Sequence, residues 1–115
     1  MSLKNALYLE VSLGSFQNAF TQKAPDNFSR DGMEILFNHL QLIAREPTKL
    51  DVYQVIQDYE EVSAANLISE KGFDLQDVDE DDLPSLIEYL RDNDAYIGHF
   101  LNKHSQDYHF IIRKF

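Results

Sequence analysis

Carboxylates are the most abundant side chains capable of chemistry in this chain, and they crowd into one stretch. Six of the nine residues from Asp74 to Asp82 are acidic. Five side chains fall at positions 1, 3, 5, 9 and 12 of a calcium-binding loop: Asp77, Asp79, Asp81, Ser85 and Glu88. Position 6 of such a loop needs the sharp turn that glycine permits, but here it is Asp82, and Pro84 occupies position 8. We therefore predict no metal site.

Histidines form the second set of residues capable of chemistry. His99, His104 and His109 recur every five residues, and imidazole is a common zinc ligand, but no fourth ligand stands nearby. His39 has no Ser, Cys or acidic partner at a spacing typical of nucleophilic catalysis. The chain has no Cys and no phosphate-loop, dinucleotide-binding or zinc-protease motif. We predict no catalytic residue and no cofactor, and we expect that the protein is not an enzyme.

The acidity is confined to the middle third of the chain. Residues 58–94 hold thirteen acids and two bases, whereas residues 1–57 hold six acids and five bases, and residues 95–115 hold one acid and three bases. The formal net charge of −10 repels phosphate backbones and anionic lipid surfaces. We therefore expect no direct binding to nucleic acid or membranes, and we expect a basic or DNA-binding protein as the partner.

Two interpretations of these acids remain open. In the first, the carboxylates line a solvated loop and a helix start, where they accept free backbone N–H groups and require no partner. In the second, carboxylates on a rigid face replace the phosphates of DNA and compete for a DNA-binding protein. The second interpretation assigns binding to an acidic surface made of nine residues: Asp58, Glu60, Glu61, Asp74, Asp77, Asp79, Glu80, Asp81 and Asp82.

The elements that must position these residues can be predicted from apolar spacing and capping residues. Leu7 to Leu13 alternate weakly, as in a strand, although a helical turn is also compatible. One helix is predicted to begin after Ser15 and end before Pro25, and a second to begin after Ser29 and end before Pro47. A third is predicted to begin after Ser63 and end at Gly72, and a fourth to run from Leu83 to Asn93. Strands are predicted over Leu50–Tyr59, Tyr96–Leu101 and Tyr108–Phe115.

This order of elements predicts an α+β fold in one domain over residues 1–115. We expect a three-stranded, mostly antiparallel sheet, with Leu50–Tyr59 as the central strand and about four helices packed on one face. The last two strands form a hairpin joined by Asn102 to Asp107. Phe28 and Met33 flank the Ser29 cap as a hydrophobic staple. Without a leader pattern or disulfide framework, we expect a cytoplasmic protein.

Four short motifs also recur together in a known group of proteins. They are Ser15-Phe16-x-x-Ala19-Phe20, Asp26-Asn27-Phe28-Ser29-x-x-Gly32-Met33-x-x-Leu36-Phe37-x-x-Leu40, Leu50-Asp51-Val52 and Asp58-Tyr59-x-Glu61. Over about residues 13–115 the chain resembles a family of small acidic proteins encoded in bacteriophages, prophages and plasmids. The resemblance implies a mobile-element context and transfers no catalytic residue.

These observations together predict a non-enzymatic protein-binding module, with DNA mimicry by the acidic surface as its sharpest form. Small acidic proteins of mobile elements include inhibitors of restriction enzymes and of other DNA-binding host factors, which supports this expectation by analogy only. Two alternatives remain. One is a self-associating protein, such as a homodimer, that uses an exposed sheet face or edge. The other is a small hydrolytic enzyme with a pocket that gathers His39 or His99 with carboxylates.

Overall fold

The computed structural model describes residues 12–43, 49–70 and 82–115, and these parts of the chain contain five helices and three strands in the order α1-α2-α3-β1-α4-α5-β2-β3. The helices are α1 (Leu13–Lys23), α2 (Arg30–Ile43), α3 (Val52–Asp58), α4 (Ala64–Glu70) and α5 (Leu83–Asp92). The strands are β1 (Tyr59–Ser63), β2 (Tyr96–Asn102) and β3 (Asp107–Arg113). The fold is therefore α+β, as predicted.

The three strands form one antiparallel sheet in the order β1-β3-β2. The predicted hairpin is confirmed, because β2 pairs with β3 from Asn102↔Asp107 to Tyr96↔Ile112, with a bulge between Tyr96 and Gly98. The last strand, β3, is the central one, and β1 and β2 are the two edges.

Helices cover both faces of this sheet, which differs from the expected arrangement on one face. Ile111 of β3 packs with buried residues of α1, α2 and α3 on what we call the first face. Phe110 and Ile112 point the other way and pack with Leu67 of α4 and Leu86 of α5 on the second face. Three consecutive buried apolar residues are typical of a strand that is covered on both sides, and β3 has them.

The predicted central strand over Leu50–Tyr59 is wrong for most of its length, because Val52 to Asp58 form α3. Asp51 caps this helix by accepting the backbone N–H of Gln54 at 3.2 Å. Val52 and Val55 are three residues apart, so both reach the core from one side of a helix. Burial of this pair outweighs the preference of β-branched residues for strands, and only Tyr59 belongs to β1.

Most of the predicted helix starts are confirmed. The Ser29 Oγ accepts the N–H of Gly32 at 3.1 Å, the Ser63 Oγ accepts the N–H of Asn66 at 3.1 Å, and α5 begins after Asp82. The first helix begins three residues earlier than predicted, because Ser12 caps it and Ser15 donates its N–H to the Ser12 Oγ. The predictions for Leu7 to Val11, for Pro47 and for Gly72 lie outside the described residues.

Candidate functional site

The structure describes four of the nine residues assigned to the acidic surface: Asp58, Glu60, Glu61 and Asp82. The others, Asp74, Asp77, Asp79, Glu80 and Asp81, lie outside the described residues. Asp58 is exposed at the end of α3 and accepts a hydrogen bond from the Gln54 Nε2 at 3.1 Å. Glu60 is half-buried on the edge strand β1.

Most of the described acids of residues 58–94 lie on β1, on the second-face helices or beside those helices, whereas Asp58 ends α3. Residues 58–94 supply the edge strand β1 and the two helices on the second face, α4 and α5. Within the described parts of this segment, eight acids accompany one base, Arg91. The described residues of the first-face layer, 12–43 and 49–58, which include Asp58, hold five acids and three bases. The negative charge is therefore concentrated in β1 and the second-face layer.

Asp82 has a structural role as well as a charge. It is the N-cap of α5, and its Oδ1 accepts the backbone N–H of Ser85 at 3.4 Å. A carboxylate at this position also lies near the positive end of the helix dipole. The first interpretation of the acidic stretch, in which carboxylates satisfy a helix start, thus describes Asp82 correctly.

Glu61 corrects the outward placement that the sequence suggested, because its side chain is only 9% exposed. Its Oε1 accepts both the backbone N–H and the Oγ–H of Ser29, at 2.8 and 2.9 Å. Its Oε2 lies 2.8 Å from the Nδ1 of His109 on β3. One carboxylate therefore joins β1 to the start of α2 and to the central strand.

The position of Glu61 depends on the glycine at the third position of α2. A Cβ on Gly32 would collide with the Glu61 Oε1 and would lie 2.9 Å from the Ile111 Cδ1. In a capping box, a Glu at this third position accepts the N–H of the capping residue. Here Gly32 leaves that space open, and Glu61 makes the same bond from another element.

The Ser29, Glu61 and His109 side chains do not form a nucleophile-and-base arrangement. In a Ser-His-Asp triad the imidazole lies between the hydroxyl and the carboxylate, whereas here the carboxylate lies between the hydroxyl and the imidazole. The three groups are better described as a partly buried hydrogen-bonded brace. The brace could not be predicted from the sequence, because Glu61 is 32 residues from Ser29 and 48 from His109. The one available signal was Gly32 in place of a helix-forming residue.

His39 lies on α2 against the start of β1. Its ring packs edge-on against Tyr59, with centroids 5.7 Å apart, and its Nε2 is buried without a hydrogen-bond partner among the described residues. Burial and, to a smaller extent, the nearby Arg113 charge lower the pKa of His39 from 6.5. Burial also raises the pKa of Tyr59, an effect that Arg113 opposes. Both rings are therefore held in their neutral forms.

The three C-terminal histidines are separated rather than gathered. His99 accepts or donates a hydrogen bond at 2.7 Å with the Tyr96 hydroxyl and pairs in register with Phe110, which places it on the second face. His109 bonds to Glu61 on the first face, and His104 lies in the exposed hairpin loop. Among the described residues, no group of three His, Cys, Asp or Glu side chains could hold a metal ion.

Three open cavities are lined by described residues. One of about 350 Å³ lies between α1 and α2, one of about 230 Å³ lies between Leu40 and Tyr59, and one of about 250 Å³ lies beside Ser29 and the hairpin loop. None of these three is lined by His39 or His99. The predicted pocket that gathers His39 or His99 with carboxylates is therefore not among these three cavities.

Comparisons with known proteins do not assign a family or a function to this chain. No protein-family model matches the chain, and neither a curated protein nor a solved structure shows significant similarity to it. The helices within the described ranges are all too short or too polar to span a membrane.

Proposed function

We propose that this protein is a non-enzymatic binding module whose acidic surface mimics DNA and occupies a DNA-binding protein of the host. The single observation that carries the proposal is the segregation of charge: thirteen acids against two bases in residues 58–94, and near neutrality elsewhere. In the proposal the protein acts in the cytoplasm, in the mobile-element context that its sequence motifs suggest.

The placement of the described acids supports this proposal. Glu70 ends α4, Glu88 and Asp92 lie on α5, and Asp94 follows it; all four are exposed, as is Asp58 at the start of the segment. Arg91 is the one base in the described part of residues 58–94, and it stacks over the Tyr96 ring at 5.1 Å from the ring centroid. The helices α4 and α5, which carry or adjoin Glu70, Glu88, Asp92 and Asp94, pack into one apolar cluster, whereas α3, which carries Asp58, packs into the other.

A partner that binds the phosphates of DNA would also bind such a surface by electrostatic attraction. Lys and Arg side chains that neutralise phosphates form favourable pairs with fixed carboxylates, and the attraction weakens as added salt screens it. Duplex DNA should therefore compete with this protein for the partner. A partner that binds through apolar contacts alone would show neither response.

The experiment compares two variants with the same net charge. The first neutralises four acids of the acidic surface: Asp74→Asn, Asp77→Asn, Asp79→Asn and Asp81→Asn. The matched control neutralises four exposed acids of the first-face layer: Asp26→Asn, Asp31→Asn, Glu34→Gln and Asp51→Asn. Each immobilised protein is exposed to host lysate, and the proteins that it retains are eluted with duplex DNA.

We expect the unmodified protein and the control variant to retain a DNA-binding protein that duplex DNA releases, and the first variant to lose it. Raising the salt from about 0.1 M to about 0.5 M should also release it, because the Debye length falls about twofold. Equal retention by both variants, or retention that DNA does not displace, would reject the proposal. Circular dichroism confirms that both variants remain folded.

A further inference from the structure

The two edges of the sheet differ in how they are protected against pairing with another strand. Exposed edges are commonly blocked by charged residues, by proline, by bulges or by short length. Edge strand β1 has five residues and carries Glu60 and Glu61. Edge strand β2 has seven residues, Tyr96 to Asn102, with no Asp, Glu, Lys, Arg or Pro among them. Its bulge lies between Tyr96 and Gly98, so the remainder of the strand is regular.

The hydrogen-bonding direction of each residue in this regular part follows from the ladder of β3. In antiparallel strands, successive residues direct their N–H and C=O groups to opposite sides. Arg113 donates its N–H to the Ala95 oxygen on the β2 side, whereas Lys114 donates to the Asp58 oxygen on the β1 side. The odd-numbered residues of β3, including His109 and Ile111, therefore bond to β2.

The register of the hairpin then identifies the open residues of β2. Gly98 pairs with Ile111 and Phe100 with His109, so these two bond to β3. His99 and Leu101 alternate with them and direct their main-chain N–H and C=O groups away from β3. Among the described strands, β2 has a neighbour on one side only, so these groups face an open edge. Leu101 is also 46% exposed.

We propose that β2 pairs with β2 of a second copy of this chain, in antiparallel orientation, to form a continuous six-stranded sheet. The strand is uncharged, so two copies meet without like charges in the ladder. Edge strand β1 carries two carboxylates and β2 carries none, so pairing through β2 joins the edge without acidic side chains. The hairpin loop beyond β2 carries Lys103 and His104, and Asp107 lies opposite Asn102 at the start of β3.

One register uses both open residues of each strand. His99 pairs with Leu101 of the second copy, Leu101 pairs with His99 of the second copy, and the two Phe100 residues face each other on the two-fold axis. Each hydrogen-bonded pair exchanges two main-chain bonds. The interface is the same surface on both copies, as expected for a two-fold dimer. It is small, so we expect association in the micromolar to millimolar range.

This inference does not depend on the proposed function, and salt separates the two. Each copy carries a formal net charge of −10, so the copies repel one another at long range. Added salt screens that repulsion and should strengthen self-pairing, whereas it should weaken the capture of a basic partner. Self-pairing can therefore be absent while capture of a basic partner is observed, and capture can be absent while self-pairing is observed.

The test is sedimentation equilibrium on the full chain, from about 10 μM to about 1 mM. We expect the average mass to rise with concentration from 13.4 kDa toward twice that value, and to rise further at higher salt. Leu101→Pro removes an N–H that β3 does not use, so the hairpin should survive while the variant stays monomeric. Leu101→Lys introduces a charge at the same open position and should lower the association constant at least tenfold. If the proline variant does not fold, the lysine variant tests the proposal in its place.

The matched control is Leu42→Lys, which makes the same change at a leucine that is 83% exposed on α2, away from the sheet edge. It should associate like the unmodified protein. A mass that stays at the monomer value throughout, or association that Leu42→Lys abolishes and Leu101→Lys does not, would overturn the inference. In the second case the copies would meet through α2 instead of β2.

Discussion

Gly32 occupies the third position of α2, and the space that a side chain would fill there holds the Glu61 carboxylate. The carboxylate accepts two hydrogen bonds from Ser29 and bonds to His109, so three elements meet at one side chain. A buried acceptor of this kind is costly to remove, because its donors remain without partners. The brace therefore stabilises the folded structure, and Glu61 should not be counted among the carboxylates that face a partner.

A double-mutant cycle on these two residues tests the brace. Alanine in place of glycine stabilises an ordinary helix by about 1 kcal/mol, but Gly32→Ala should destabilise this protein by about 1–3 kcal/mol because the new methyl displaces Glu61. Glu61→Ala should cost about 2–3 kcal/mol. The free energy of unfolding lost by the double variant should be smaller than the sum of the two single losses by at least about 0.5 kcal/mol. The reason is that the new methyl group then enters the space that Glu61 has vacated.

Urea unfolding measures these free energies. Gly14→Ala provides the control, because the nearest atom to a Cβ at Gly14 is the Ser12 Oγ at 4.0 Å, so this change should be neutral or stabilising. Additive effects of Gly32→Ala and Glu61→Ala would show that the two residues do not share one site.

His39 predicts a pH dependence of stability. Its pKa is lowered in the folded protein, chiefly by burial and then by Arg113, so below pH 6.5 the unfolded chain binds a proton more readily than the folded one. Its contribution to stability is therefore fully present above pH 6.5 and is lost as the pH falls through the folded pKa, with a slope of at most about 1.4 kcal/mol per pH unit.

The measurement is urea unfolding between pH 7.5 and about pH 5, within the range in which histidine titrates. His39→Gln should reduce the loss of stability on acidification relative to the unmodified protein. The matched control is His104→Gln, which makes the same change at an exposed histidine of the hairpin loop. Profiles of the same slope for the His39→Gln variant and the unmodified protein would show that burial of His39 does not contribute.

At the scale of elements, α5 shows that one acid can serve both interpretations of the acidic stretch. Asp82 caps the helix, and Leu86 and Leu90 bury its apolar side against the second face of the sheet. The carboxylate accepts a backbone N–H, which an amide oxygen or a hydroxyl can also do. Its charge and its capping role can therefore be separated by substitution.

Asp82→Asn and Asp82→Ala separate the two roles. Asparagine caps helices about as well as aspartate, whereas alanine at this position costs about 1 kcal/mol. We expect thermal unfolding to show a clear loss of stability for Asp82→Ala and a smaller change for Asp82→Asn. If both variants lose equal stability, the charge of Asp82 and its interaction with the helix dipole outweigh the hydrogen bond to Ser85.

At the scale of the whole molecule, the sheet separates a nearly balanced layer from an acidic one. The first-face layer of α1, α2 and α3 holds five acids and three bases within the described residues, whereas β1, α4, α5 and their adjoining residues hold seven acids and one base. Such an asymmetric field would steer the proposed basic partner toward one side. The uncharged β2 edge is the second proposed route of association, and salt should act on the two routes in opposite directions.

The sequence by itself determined the class of fold, most helix starts and the terminal hairpin. These features depend on local chemistry: Ser29 and Ser63 accept N–H groups within their own first turn, and the strands of the hairpin are joined by a four-residue loop. It also determined the segregation of charge, because that is a property of residue order alone.

Only the tertiary structure decided that Val52 to Asp58 are helical, that helices cover both faces of β3, and that Glu61 points inward. Each outcome depends on contacts between residues far apart in sequence, such as the burial of Val55 in a core with Phe16 and the bonds from Glu61 to Ser29 and His109. Local propensity carries no information about such contacts, and their burial and hydrogen-bonding energies outweigh it.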